Sequence, residues 1–251
     1  MIQSLFVALS TYSVIPVPQF EWNERNMKYA ICFFPVVGIV CGVTLAGWYG
    51  ICLALRCSGV LFACGAVCIP LLITGGIHMD GYMDTMDARA SHQTRERKLE
   101  IMKDPNCGAF AVIYCVVYLL LSQGLFYELY LAHNALVFCP VFVLSRSLSA
   151  LCAVTMPNAR KVGMLSAYTQ HTEKRNVILA MALVAVVIVG VMICLSPATG
   201  CAALLAACAV MFGYRRMAIK EFGGATGDTS GFFLQSCELC CLAGVWLGGM
   251  L

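Results

Sequence analysis

Charge is what this chain has least of. Only 12% of its 251 residues are Asp, Glu, Lys or Arg, while 61% are hydrophobic, and the mean hydropathy is +0.83. A soluble domain of this size carries about twice that share of charge, so a freely soluble globule is excluded and a membrane protein is indicated. The net charge of +3 is too small for a nucleic-acid partner. No Lys or Arg precedes Arg25, so the apolar run 2–14 lacks the charged leader of a secretory signal. It is also too short to span, and is expected to be a helix ending before Pro16, lying at the interface or tucked against the bundle. The sixteen cysteines have no recurring spacing, and the CxxCC at Cys237, Cys240 and Cys241 has no second Cys or His cluster beside it. This argues against both a disulfide framework and a structural metal site. Also missing are the phosphate-loop Gly-Lys-Ser/Thr ending and the internal repeats of a secondary transporter.

The charge that is present is concentrated. Residues 75–104, GGIHMDGYMDTMDARASHQTRERKLEIMKD, hold six of the thirteen carboxylates. Asp80, Asp84 and Asp87 are spaced i, i+4, i+7, which on a helix places them within roughly 60° of one another. Like charges on one face repel, and no Lys or Arg falls between Gly75 and Asp87 to relieve them. The stripe makes sense chiefly against a cation, or a cation carrying phosphate; a solvated helix end would normally interleave basic residues. A surface helix over 93–103, capped by Ser91 and stopped by Pro105, is expected to follow. Its Arg95, Arg97 and Lys98 are expected to face lipid headgroups or solvent. Lys103 and Asp104 stand just before the chain re-enters the membrane.

Seven spans are expected, at about 29–55, 57–77, 108–131, 135–155, 177–195, 198–213 and 231–250, the sixth being short for a hydrocarbon core of about 30 Å. Alternating the loops between two sides puts 14 of the 16 Lys and Arg on one side. By the positive-inside rule the N-terminus and the long loops then face the cytoplasm and the C-terminus faces outward. Arg146 lies inside a span, where a charge is usually paired or faces a cavity. Arg160 and Lys161 open the second long loop, either as ordinary positive-inside residues or as substrate contacts. The third, EFGGATGDTSG, has glycines that would let backbone amides approach an anion and adds the carboxylate of Asp228. Glu238 follows about two turns inside the last span. These features suggest one metal–phosphate site assembled from both halves of the chain.

The stretch GGIHMDGYMDTMDA resembles the signature of the cobalamin synthase family, the adenosylcobinamide-GDP ribazoletransferases. TYSVIPVP, FFPVVGIVCG, IMKDPNCGAF, LSRSLSA with PNARKVGM, and GGATGDTSGFFLQSCE agree in order, so the resemblance covers nearly the whole chain. It departs at Ala88, Asn106 and Phe232, where glycine, arginine and alanine are usual. The resemblance implies a single all-α domain over 1–251, a polytopic bundle of the inner membrane in which α-ribazole or its 5′-phosphate attacks the corrinoid-side phosphorus of adenosylcobinamide-GDP and GMP leaves. On that reading Asp80, Asp84, Asp87 and Asp228 would hold Mg2+. Asp84, Asp87, Lys103 and Glu238 are the catalytic candidates, with His78 a weaker one as base. Lys103, Asp104, Arg146, Arg160, Gly224, Thr226 and Gly227 would contact substrate. A homo-oligomer and association with other corrinoid-assembly enzymes are compatible with it. The competing readings are a CDP-alcohol-type phosphotransferase, whose DG-x2-AR…G-x3-D-x3-D pattern is not completed here, and a small-solute transporter.

Overall fold

A computed structural model describes residues 1–250. Among them the regular structure is helical, with a single isolated bridge between Asn158 and Ala225. Six long apolar segments can cross a membrane. They contain α3 (Phe34–Ala54), α7 (Ala109–Leu131), α8 (Val141–Thr155), α10 (Lys174–Leu195), α11 (Pro197–Met217) and α12 (Gly227–Gly248). Between α3 and α7 lie α4 (Gly59–Thr74) and α5 (Ile77–Ala90), which meet at 95°. The span expected to be short is therefore not the one that is: α11 has 21 residues, whereas α4 has 16, about 24 Å of helix.

The bend has a local cause. Gly75 and Gly76 have φ of +63° and +78°, a region that side-chain-bearing residues rarely enter, and they end α4. The chain then turns by 95°, and α5, whose fourteen residues include three aspartates, packs against α12 and α7; taken together, α4 and α5 are a seventh candidate crossing, broken at the glycines.

Burial separates inner from outer helices. The segment 135–155 around α8 is 78% buried and α12 61%, whereas α7 and α10 are 22% buried. The inner pair therefore carries the core, and the outer pair turns Leu120, Leu183 and Val186 toward lipid. Small residues set the spacing. A Cβ on Gly38 of α3 would strike the Phe142 carbonyl, one on Gly42 would stand 2.8 Å from the Cys139 carbonyl, and one on Gly244 of α12 would stand 2.9 Å from the Ala202 carbonyl of α11. Bilayer lipid supplies no hydrophobic drive between helices, so such close backbone approach is what holds them together.

The first segment is α1 (Ile2–Tyr12), with Val7 and Ala8 fully buried and the Tyr168 hydroxyl hydrogen-bonded to the Val7 carbonyl at 3.3 Å. It is tucked against the bundle. Short helices α2 (Glu24–Met27) and α9 (Met164–Gln170) flank it. The surface helix is α6 (Arg95–Ile101), shorter than expected and capped by the Thr94 hydroxyl in place of Ser91. Arg95 and Arg97 are exposed, as expected, but Lys98 is not. Lys98 is buried and bonds Glu221 at 2.8 Å, Arg95 donates to the Ile219 carbonyl at 3.4 Å, and Arg97 pairs with Glu100 at 2.8 Å.

Candidate active site

The site forms where α5 crosses the start of α12. A Cβ on Gly81 would stand 2.8 Å from the Cα and carbonyl oxygen of Asp228, and one on Gly231 2.7 Å from the His78 carbonyl. Two glycines therefore allow backbone contact at the crossing. This brings the stripe Asp80, Asp84, Asp87 beside Asp228, which lies almost 150 residues later in the chain.

The third wall comes from the segment after α8. Pro157 accepts the Ala225 amide at 2.8 Å, and Ala159 donates to the Ala225 carbonyl at 2.9 Å. This two-bond bridge aims Arg160 at Asp228, with Nη1 to Oδ2 at 3.3 Å, while Nη2 donates to the Leu99 carbonyl at 2.9 Å. Arg160 thus ties α6, α12 and the α8–α9 segment together.

A cavity of about 290 Å³ opens at this junction, lined by His78, Asp80, Arg160, Thr226, Gly227 and Asp228 among others. Asp84 does not line it, but its carboxyl responds to the group. Burial first, then the charges of Asp80, Asp228 and Asp87, push it up to about 7, against the opposing pull of Arg160. The Asp87 carboxylate packs against Gly108 at the start of α7, where a Cβ would overlap both its oxygens.

The glycine loop behaves differently from expectation. The amides of Gly223 and Gly224 bond the Ile219 and Ala218 carbonyls, and a Cβ on Gly224 would strike the Pro157 carbonyl. Gly224 therefore serves internal packing. Thr226 caps α12, its hydroxyl accepting from the Thr229 amide at 3.0 Å. The first amides of the helix, at Gly227 and Asp228, have no partner within the helix, and both residues line the cavity, where a helix start favours an anion.

Besides Asp84, Asp87 and Gly224, four predicted residues do not line this cavity. Arg146 and Glu238 are buried and bonded to each other, with Ser145 donating to Glu238 at 2.9 Å and Arg146 donating to the Phe142 carbonyl at 2.9 Å. The pair belongs to the core. Lys103 and Asp104 are exposed beyond α6, Asp104 accepting from Asn106 at 2.8 Å. Sequence reading also missed cavity residues: Tyr12, Ser149, Asn158 and Ser230. For Ser149 the signal was present, since it stands about one turn beyond Arg146 in the serine-bearing stretch LSRSLSA of an apolar span. For Tyr12 there was none.

The donors near the crossing are carboxylate oxygens, the set a hard divalent cation prefers, and the unrelieved crowding at Asp84 is what such a cation would neutralise. Among the described residues, no group of three His, Cys, Asp or Glu side chains closes on a common point. Asp228 is instead turned to Arg160. Chemistry therefore fits the group better than the present side-chain positions do.

Helix number, the turned α5 and the acidic junction define a class: a polytopic helical membrane protein with one polar site at one face of its bundle. The chain belongs to the cobalamin-5-phosphate synthase family, whose sequence profile matches residues 4–246. It is 43% identical to an adenosylcobinamide-GDP ribazoletransferase of Lachnoclostridium phytofermentans, covering 95% of this chain and 91% of the relative. Relatives of the same name from Clostridium botulinum (31% identical, 95% of each chain) and Geobacillus kaustophilus (30%, 96% of this chain and 94% of the other) cover it as fully. No solved structure matches the chain significantly.

Proposed function

We propose that the chain joins α-ribazole, or its 5′-phosphate, to adenosylcobinamide-GDP with release of GMP, at a site built on Asp80, Asp84, Asp228 and Arg160. Family membership supports the activity. The observation that supports the site is the shared cavity wall of Asp80 from α5, Asp228 from α12 and Arg160 from the α8–α9 segment. A ribose hydroxyl of the acceptor attacks the corrinoid-side phosphorus, the bond from that phosphorus to the GMP oxygen breaks, and GMP departs as the phosphate anion. Asp80, Asp84 and Asp228 would hold Mg2+, with Asp87 beside them. When bound, the ion supplies charge neutralisation on the pyrophosphate oxygens. Arg160 is the one guanidinium at the cavity bonded to this carboxylate group, and a substrate phosphate would take the place of Asp228 on it. The free amides at Gly227 and Asp228 add a second cradle for negative charge.

An aspartate, rather than His78, accepts the hydroxyl proton, because Asp80 lines the cavity with Arg160 and Asp228, whereas His78 sits among the rings of Tyr12 and Phe34. At saturating acceptor the His78→Ala variant should therefore keep the acidic limb of its pH–rate profile, where the base loses its proton; loss of that limb assigns the proton to the imidazole. The site faces the cytoplasm of an inner membrane, supported by the basic residues gathered on its side. Purified protein given both substrates should yield equal amounts of GMP and a corrinoid heavier by the acceptor on mass spectrometry. GMP without that corrinoid would mean simple hydrolysis and would refute the reading.

A further inference from the structure

The cavity has two unlike ends. Asp80, Arg160 and Asp228 make one wall polar, while aromatic rings make another. Tyr12 and Phe34 have centroids 4.3 Å apart, and His78 lies 5.4 Å from Phe34 and 6.1 Å from Tyr12, tilted 26° to the latter. These rings come from three elements, α1, α3 and α5, and nothing in the reaction described so far uses them. The His78 Nε2 is buried with no hydrogen-bond partner. An orphaned imidazole nitrogen in an apolar setting calls for an explanation. Arg146 is close behind, 5.9 Å from the Phe34 ring, but a cation cannot satisfy a neutral imidazole's donor and is itself held by Glu238.

Size narrows the occupant. About 290 Å³ is at the small end of ligand pockets, which run ~300–1,000 Å³. It suits one nucleoside and excludes a corrinoid macrocycle, which must approach from the open side. Resting on the transferase reading above, we propose that Tyr12, Phe34 and His78 form the compartment for the flat heteroaromatic base of the acceptor nucleoside. Seating the base there turns its ribose toward Asp80, Arg160 and Asp228, where the donor phosphorus is attacked. The rings stack on the base in the offset geometry aromatic pairs favour, and His78 obtains from the acceptor the polar partner it lacks. His78 is then a positioning residue with no part in the proton transfer.

The test is equilibrium dialysis of labelled α-ribazole against the full-length protein in detergent, without the donor, alongside dialysis of adenosylcobinamide-GDP. Tyr12→Leu removes a stacking face and should weaken α-ribazole about tenfold. His78→Phe keeps the ring but loses the nitrogen and should weaken it about fivefold. Adenosylcobinamide-GDP affinity should stay unchanged in both, and so should binding of ribose 5-phosphate, which has no base. Ala153→Leu narrows the same cavity from α8 and should reproduce the selective loss, which covers the case in which Tyr12→Leu fails to fold. Wild-type affinity for α-ribazole in the folded variants, or a loss confined to adenosylcobinamide-GDP, overturns the compartment. Absence of GMP release from the wild type would instead overturn the transferase reading, so the two failures are distinguishable.

Discussion

Asp84 is held among groups of its own sign, and its behaviour with pH follows from that. Its carboxyl sits at about 7 in the folded chain against 3.8 ordinarily, so folding favours the protonated form. Ionisation therefore costs stability, a cost that grows as pH rises from about 3.8 and is complete above about 7. With divalent cations chelated, Asp84→Asn should melt higher than wild type at pH 8, and the gap should close as pH falls through that window. A gap of each kcal/mol is about 2–4 °C for a chain of this length. A constant difference across pH would show that charge crowding is not its source. The Arg146–Glu238 pair makes the opposite case, opposite charges buried together. Glu238→Leu strands the guanidinium and should cost about 3–5 kcal/mol, whereas Arg146→Met with Glu238→Leu should recover most of the stability and keep turnover. If the double variant melts normally but has no activity, Arg146 touches substrate after all. Sequence alone could mark both residues as costly charges in a span; it could not show that each was the other's partner, because 92 residues separate them.

At the scale of elements, the α5–α12 crossing decides whether a site exists. Gly81→Ala would force a methyl group against the backbone of Asp228, shifting the two acidic segments apart. Displacement of about 1 Å can cost about 10²-fold in rate, so GMP release should fall by that order while the protein still inserts. Undiminished turnover would show that the crossing tolerates separation. The latch over α6 is a second device: Glu221 holds both Lys98 at 2.8 Å and Arg89 at 3.4 Å. Glu221→Gln should free α6, read as faster tryptic cleavage at Arg95 and Arg97 in membranes. The acidic stripe was legible in the sequence because helical periodicity is a local property. The docking of α6 was not, because Lys98 as a basic surface residue and Lys98 as a buried ion-pair partner look identical until the partner is placed. For the same reason α6 began at Thr94, where the hydroxyl reached a free amide, and not at Ser91, whose hydroxyl bonds the Ala88 carbonyl of α5 at 2.6 Å. Within the glycine loop only Gly223 and Gly224 departed from the expectation, their φ > 0 conformations serving the close of α11 and the contact with Pro157, while Gly227 and Asp228 line the cavity.

For the whole molecule, a count of six to seven spans followed from hydropathy, because a bilayer demands long apolar helices of any α-helical chain that crosses it. What pattern could not supply was the right-angle turn after α4, since Gly75-Gly76 reads equally as a loop. Orientation can be checked directly: alkaline phosphatase fused at Asn134 should be active outside the membrane, and fusions at Lys103 or Lys161 silent. The central claim is that carboxylates from α5 and α12 act together on one cation-bound pyrophosphate. It is tested most directly by GMP release from adenosylcobinamide-GDP and α-ribazole in washed membranes, with EDTA or with magnesium, for the wild type, Asp84→Ala and Asp228→Ala. The account predicts turnover only in wild type with magnesium, each aspartate variant falling by roughly 10²-fold or more. Full turnover in EDTA, or an Asp228→Ala variant as fast as wild type, would contradict it.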